Sequence, residues 1–521
     1  MDAVGELRSN TEPDGAVSGM SQSGALMILA VLFAFVLAAA ILVARMKGVW
    51  LDELWSLWMS QHDVGFSRAL HERWLQDTNP PFFYMFAWLF EPLTRLNLFA
   101  SRLLNLIPLA LASGAFFWLG LTRSRLRPFL IVYAVLMACS ALFVGDFGEL
   151  RSYFSQLCAA SVLAAALFTV ETETRDLEKR DIGLAIAILF AATAIMSFHQ
   201  VSALITGVVL GVTGVGHLLA RRVKWGVALL AIAFVSGLPL VGAEIAAWPY
   251  LTVAAQDFWV TASTADALHI VASQTVKALL LNAAAAGAAV YVLTGLRRTP
   301  RQPMSASLRF AVVFAVALGC ASIAVVVLNV VKPLIIPRYL IMLTPFWRAA
   351  LAAVAAEMIL SRRWVFALFI ANAALITAFT TQDEAFTGNW NDGAEAIADA
   401  VDDCSQTLVY AVDPFELEAP GVKAPAPDNE IVVHDWGYGY VGRLHGFAVR
   451  IVHPSAIRSI PLSTACPTLL WAEHDYNNRL GLKDIAVRSK LPADPASLAR
   501  MTLLRTDSGF VLTLAPPTPS R

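Results

Sequence analysis

The chain alternates long apolar runs with short polar breaks, and the runs have the length of membrane helices rather than of globular elements. Uncharged or nearly uncharged stretches occupy Ala25–Ala44, Leu103–Thr122, Pro128–Gly145, Ser152–Val170, Ile182–Phe198, Gln200–Ala220, Trp225–Ala243, Ala278–Leu296, Phe310–Val331, Tyr339–Leu360 and Trp364–Thr380. About 20 apolar residues cross the hydrocarbon core of a bilayer as a helix, so the pattern predicts about eleven transmembrane helices. Phe82–Phe90 is apolar too, but too short to span, and is expected to lie as an interfacial or re-entrant helix. From Thr381 onward the pattern changes to shorter, polar, Pro-rich segments. A helix over Asp392–Val401 is expected there, with strands at Thr407–Val412, Glu430–Val433, Leu469–Ala472, Met501–Leu504 and Phe510–Leu514. The last two flank the turn Thr506-Asp507-Ser508-Gly509.

The expected organisation is therefore a tail over 1–24, a transmembrane domain over 25–380 whose first loop, 45–102, carries interfacial helices, and a small α/β domain over 381–521. Composition agrees: 57% of residues are hydrophobic and 15% charged, against about 25% charged in soluble domains. The formal net charge of −1, with no basic stripe, gives no reason to expect a nucleic-acid partner. Basic residues concentrate in five short loops, around Arg123–Arg127, Arg175–Arg180, Arg221–Lys224, Arg297–Arg309 and Arg362–Arg363. With eleven spans these loops share one face, expected to be cytoplasmic together with the N-terminus. The first loop and the C-terminal domain then face outward. Cys404 and Cys466 are the only cysteines of that outer domain, in an oxidising setting where a disulfide can form. Cys139, Cys158 and Cys320 lie in spans and are expected to pack.

Candidate chemistry gathers on the outer side. Asp52-Glu53 follows the first span, where two carboxylates can act as acid/base groups on a substrate with a lipid tail. The plain alternative is that Asp52 caps a helix over Leu54–Ser60 and Glu53 is solvated. Asp77-Thr78-Asn79-Pro80-Pro81-Phe82-Phe83-Tyr84 and Arg102 mark the same loop, its tandem prolines fixing the entry to the short helix. A second outer turn reads Asp146-Phe147-Gly148-Glu149-Leu150-Arg151-Ser152-Tyr153, and a third carries His199-Gln200. The last holds Lys332 and Arg338-Tyr339, two cations suited to a phosphate or to lipid headgroups. Arg348 lies deeper, where a charge is costly and calls for a partner; Glu244 and Glu357 are candidates. No spacing requires a cofactor or metal; if a hard divalent ion binds, Asp52, Asp146 and Glu149 are the oxygen donors on offer.

These landmarks resemble the multi-spanning GT-C glycosyltransferases, particularly the bacterial relatives of protein O-mannosyltransferases and the lipid A aminoarabinose transferase. The matching residues are Asp52-Glu53, Asn79-Pro80-Pro81-Phe82-Phe83-Tyr84, Glu149-Leu150-Arg151-Ser152-Tyr153, Pro337-Arg338-Tyr339-Leu340 with Pro345, and Asn389-Trp390-Asn391-Asp392-Gly393-Ala394. His often stands where Asn79 does, and the usual Trp-Arg of the tail reads Trp390-Asn391. The resemblance covers roughly residues 25–400. It implies an inverting transfer of a sugar from a polyprenyl-phosphate carrier to an envelope lipid, polysaccharide or protein, on the outer face of a bacterial inner membrane. It casts Asp52 as the base. Glu53, Asn79, Asp146, Glu149, Arg151, Tyr153, His199, Lys332, Arg338 and Tyr339 are cast as substrate-binding. A flippase for a lipid-linked sugar is the chief alternative, expected to carry polar residues through the membrane depth and repeated halves; a membrane-anchored scaffold is the third.

Overall fold

The computed structural model describes residues 22–173, 175–254, 262–298, 304–331, 333, 335–387, 390–412, 428–452, 457, 460–473, 481–489, 491–506 and 508–516. The expected tail over 1–24 thus lies almost wholly outside the described residues, as do Lys332 and Asn389. The first helix, α1 (Gln22–Met46), is followed by two short ones, α2 (Leu51–Met59) and α3 (Phe82–Thr94). Then come α4 (Leu106–Thr122), α5 (Arg127–Ala138), α6 (Ala141–Phe147), α7 (Ser152–Thr172), α8 (Ile182–Phe198), α9 (Gln200–Leu219) and α10 (Val223–Ala254). The membrane part ends with α11 (Thr264–Leu280), α12 (Ala283–Arg298), α13 (Ala306–Val331), α14 (Leu343–Ser361) and α15 (Arg363–Ala385).

Among the described residues nine helices are long and apolar enough to cross a membrane, and eleven spans result if two bent pairs each count as one. The protein is a multi-span α-helical membrane protein, and each of the eleven apolar runs coincides with one of these spans. Two runs are not straight. Within Pro128–Gly145 the chain bends by 58° between α5 and α6. Ser140 sits at that break, its hydroxyl accepting from Phe143 N and donating to Met137 O, so a polar side chain satisfies both new helix ends. Ala278–Leu296 straddles an 87° break between α11 and α12, where Asn282 accepts from Ala285 N. Hydropathy alone registers neither break, because the capping residues are uncharged.

Four of the five basic loops are bonded to one another on one face. Arg123 pairs with Glu173 and Asp181, and Arg175 with the same two acids. Arg222 donates to Val170 O, and Arg309 pairs with Glu171. The opposite ends of α1, α7 and α15, the α8–α9 turn and the turn before α14 gather on the other face.

The C-terminal part has two major helices, α16 (Trp390–Asp403) and α17 (Asp428–Leu444), and a five-stranded sheet: β1 (Leu408–Ala411), β2 (Arg450–Ile451), β3 (Thr468–Glu473), β4 (Met501–Arg505) and β5 (Gly509–Leu514). The order is β2-β1-β3-β5-β4, with β1 parallel to β2 and β3, and β5 antiparallel to β3 and β4. The strand expected at Glu430–Val433 is instead part of α17. Val433, Tyr438 and Val441 of that helix are buried with Leu54, Trp390 and Trp471, and this tertiary packing overrides the local β-branched preference. The same apolar cluster takes in Leu57, Trp58 and Leu150, so the sheet-bearing part rests directly on the first loop. Tyr440 donates to Leu96 O at 2.8 Å and Trp390 N to Val49 O at 3.1 Å. Cys404 and Cys466 form a disulfide, joining the end of α16 to the segment before β3.

Candidate active site

Asp52 lies in the first turn of α2, whose N-cap is Trp50 and carries no side-chain cap bond. Asp52 is therefore not the helix cap; its carboxylate sits where the positive end of the helix dipole favours an anion. The carboxylate faces two guanidinium groups. Its Oδ2 is 2.6 Å from Arg338 Nη1 and 3.4 Å from Arg151 Nη2, and Arg151 Nη1 donates to Asp52 O at 3.1 Å. Arg151 is buried, while Asp52 and Arg338 keep side-chain exposures of 23% and 30%, which leaves this cluster reachable from outside. Arg338 Nε is buried with no partner among the described residues. Its guanidinium also lies over the rings of Trp50 (5.4 Å) and Tyr339 (5.9 Å), and that of Arg151 over Tyr153 (5.8 Å).

His199 forms the turn between α8 and α9 and packs 4.4 Å from the Tyr339 ring. Its Nδ1 accepts from Val201 N, so the neutral ring carries its proton on Nε2. Burial, with Arg151 and Arg338 nearby, pushes the imidazole down to about 3. It is a neutral hydrogen-bonding group and no counter-ion. Asp52, Arg151, Tyr153, His199, Arg338 and Tyr339 are thus brought together from four separate segments of the chain.

Glu53 is placed otherwise. One residue along a helix turns the side chain by about 100°, and Glu53 points into the protein, fully buried rather than solvated. It binds Arg102 through both oxygens, at 2.8 and 2.6 Å, and accepts from Leu150 N at 2.9 Å. Arg102 also donates to Ala44 O, Lys47 O and Gly48 O. This bidentate pair pins the end of α1, the start of α2 and the Leu150 turn to one another. Arg102 stands at the edge of an apolar run, and that is the sequence signal for such a buried ionic contact.

Asp146 and Glu149 belong to a second cluster. Lys47 Nζ is 2.5 Å from both Glu149 and Glu384. Asp146 Oδ2 is buried with no hydrogen-bond partner among the described residues. Gly148 makes this turn feasible, since a Cβ there would meet Val43 Cγ1 at 2.6 Å. Asp52 and the Asp146/Glu149 pair therefore do not converge, and among the described residues no group of three or more His, Cys, Asp or Glu could hold a metal ion.

Asn79 donates to Asp77 Oδ2 at 3.4 Å; Trp55 Nε1 (3.2 Å) and the Tyr84 hydroxyl reach the same oxygen. Arg348 finds neither expected acidic partner. It donates at 2.7 Å to Leu136 O, one of the carbonyls freed where α5 ends, so the helix terminus supplies its counter-charge. Glu244 instead accepts from Gln200 at 2.9 Å, and Glu357 is exposed.

No family model matches the chain, and no curated protein matches its sequence. Among solved structures it is similar to ArnT from Cupriavidus metallidurans in the apo state, with TM-score 0.49, 14% identity, and 95% of this chain and 100% of that chain covered. It is also similar to the crystal structure of ArnT from the same organism bound to undecaprenyl phosphate, with TM-score 0.52, 16% identity, and 96% and 100% covered. Across nearly its whole length, then, this chain has the ArnT-like fold that its GT-C resemblance implied.

Proposed function

We propose that the protein is an inverting glycosyltransferase that moves a sugar from a polyprenyl-phosphate carrier to an envelope acceptor on the outer face of the membrane. The observation that carries this reading is the Asp52 carboxylate between Arg338 and Arg151 at the mouth of the helix bundle. In the free protein the two arginines neutralise Asp52. A carrier phosphate competes for them, and Arg338, the more exposed, is the one drawn to it by bidentate hydrogen bonds. Asp52 is then released to act as a base. The acceptor hydroxyl oxygen attacks the anomeric carbon, its proton passes to Asp52, and the bond from that carbon to the phosphate oxygen breaks with its electron pair going to the carrier. Two preorganised guanidinium groups stabilise the charge that develops on the leaving phosphate, with His199 Nε2–H as a further donor. Glu53, sealed against Arg102, positions the start of α2 rather than touching substrate. Undecaprenyl phosphate bound to ArnT supports a carrier of that class.

The positive-inside distribution of the basic loops and the Cys404–Cys466 disulfide support an outward placement of Asp52 and of the C-terminal part. A flippase needs polar groups along the whole membrane depth; Arg348, the residue that most favours it, is occupied at a helix end. The test is transfer of labelled sugar in vesicles. Asp52→Asn is expected to abolish transfer while the purified protein still binds undecaprenyl phosphate. Near wild-type transfer by that variant would refute the base assignment.

A further inference from the structure

Beside the Asp52 cluster, the Asp77–Pro81 segment and α10 enclose a shallow pit lined by Asp77, Asn79, Pro81 and Glu244, with Gln200 bridging its two walls. Its polar groups are used unevenly. Asp77 Oδ2 accepts from Trp55, Asn79 and Tyr84, whereas Oδ1 has only Thr78 Oγ1 at 3.4 Å. Glu244 Oε1 accepts from Gln200, and Oε2 has no hydrogen bond among the described residues. Neither carboxylate forms an ion pair among the described residues, which separates this pit from the Lys47 and Arg102 clusters, where Glu149, Glu384 and Glu53 each meet a cation. The walls are held firmly: Gln200 donates to Thr78 O at 2.7 Å and to Glu244 at 2.9 Å, and Pro80-Pro81 fixes the backbone below them.

The pit adjoins the proposed phosphate position. Trp55, three residues beyond Asp52 on α2, donates to Asp77 Oδ2 at 3.2 Å, and Gln200, which bridges the pit, directly follows His199 in the α8–α9 turn. A group joined directly to a phosphate held by Arg151 and Arg338 therefore has this pit as its neighbour. Open carboxylate oxygens flanked by amides match the hydroxyl donors of a sugar ring and repel a carboxylate on it.

We infer that Asp77, Asn79, Gln200 and Glu244 form the subsite for the donor's sugar ring, selecting a neutral sugar with adjacent hydroxyls and rejecting acidic sugars. The inference rests on the carrier-dependent reading above and adds to it the class of sugar and the residues that read it. A hydroxyl bonded to a charged acceptor contributes enough for its loss to cost about tenfold in affinity.

The experiment measures dissociation constants of the full chain in nanodiscs for three probes: undecaprenyl phosphate, a set of undecaprenyl-phosphate-linked neutral hexoses and pentoses, and an undecaprenyl-phosphate-linked hexuronic acid. In the wild type at least one neutral glycosylated carrier should bind about tenfold more tightly than the bare carrier, and the hexuronic carrier no more tightly. Glu244→Gln keeps an acceptor for Gln200 and thus the local fold. It should erase most of the neutral-sugar advantage and leave the affinity for bare undecaprenyl phosphate unchanged. Retention of the full advantage by Glu244→Gln overturns the subsite, as does equal binding of the hexuronic carrier to the wild type. An advantage that disappears from the wild type with a divalent-ion chelator also overturns it and makes the pit a cation site. Absence of any binding of bare carrier to the wild type is a different result, which removes the carrier-dependent reading itself.

Discussion

Glu53 and Arg102 offer the sharpest division between a positioning role and a substrate contact. Both side chains are buried to within 1% of completely and meet through two hydrogen bonds of 2.6 and 2.8 Å. Removing one member of such a pair leaves a buried charge uncompensated, at a cost of about 3–5 kcal/mol. Glu53→Gln retains an oxygen for Leu150 N, so the expected loss is that of the charge alone. Arg102→Met removes the charge and also strands Ala44 O, Lys47 O and Gly48 O, each worth about 1–3 kcal/mol if left dry. Arg102→Met is therefore the more damaging single change. The double variant Glu53→Gln/Arg102→Met removes both charges and should lose several kcal/mol less than the singles combined. Thermal unfolding of purified protein, followed by tryptophan fluorescence, gives the order, and carrier binding by the folded fraction gives the role. Additive thermal effects would refute the coupling. A Glu53→Gln protein of wild-type stability that had lost carrier affinity would refute the positioning role and make Glu53 a substrate contact.

Other outcomes follow from single contacts. Arg338→Ala should raise the KM for the donor and weaken binding of bare undecaprenyl phosphate about tenfold or more, because it removes a charge-assisted contact; unchanged binding would remove Arg338 from the phosphate site. Glu473, enclosed by Trp471 Nε1 and Ser508 Oγ at 2.6 Å each, is pushed by burial up to about 8. A raised carboxyl favours folding below its unfolded value and loses that contribution as pH climbs through the folded one. The wild-type unfolding midpoint should thus fall between about pH 4.5 and about pH 8, by up to roughly 5 kcal/mol in stability at about 1.4 kcal/mol per unit; Glu473→Gln should flatten that slope, and an equally steep slope in the variant would refute the assignment. Reducing the Cys404–Cys466 bridge, which spans 62 positions, should cost the C-terminal part about 4 kcal/mol, read as earlier protease cleavage between residues 390 and 516 under reductant.

What the sequence makes legible here is what the bilayer imposes. Span length and the placement of basic loops follow from the cost of polar groups in lipid, and so all eleven apolar runs were recoverable from hydropathy. The two breaks were not, because Ser140 and Asn282 satisfy exposed backbone without adding charge. Outside the membrane the constraint relaxes. Val433 reads locally as strand and becomes helix because Leu54, Trp390 and Trp471 offer a surface that the linear pattern does not contain.

The candidate site shows the same division at the scale of adjacent residues. Asp52 and Glu53 are indistinguishable as letters, and both are carboxylates beside a first span. Their difference arises from helical rotation together with partners 49 to 286 positions away in the chain: Arg102 and Leu150 for Glu53, Arg151 and Arg338 for Asp52. A buried bidentate pair has satisfied its charge and keeps geometry fixed. A partly exposed carboxylate between two arginines holds a charge balance that an incoming phosphate can alter. That is why loss of Glu53 should be felt first as instability, and loss of Asp52 as absent transfer by a protein that still folds.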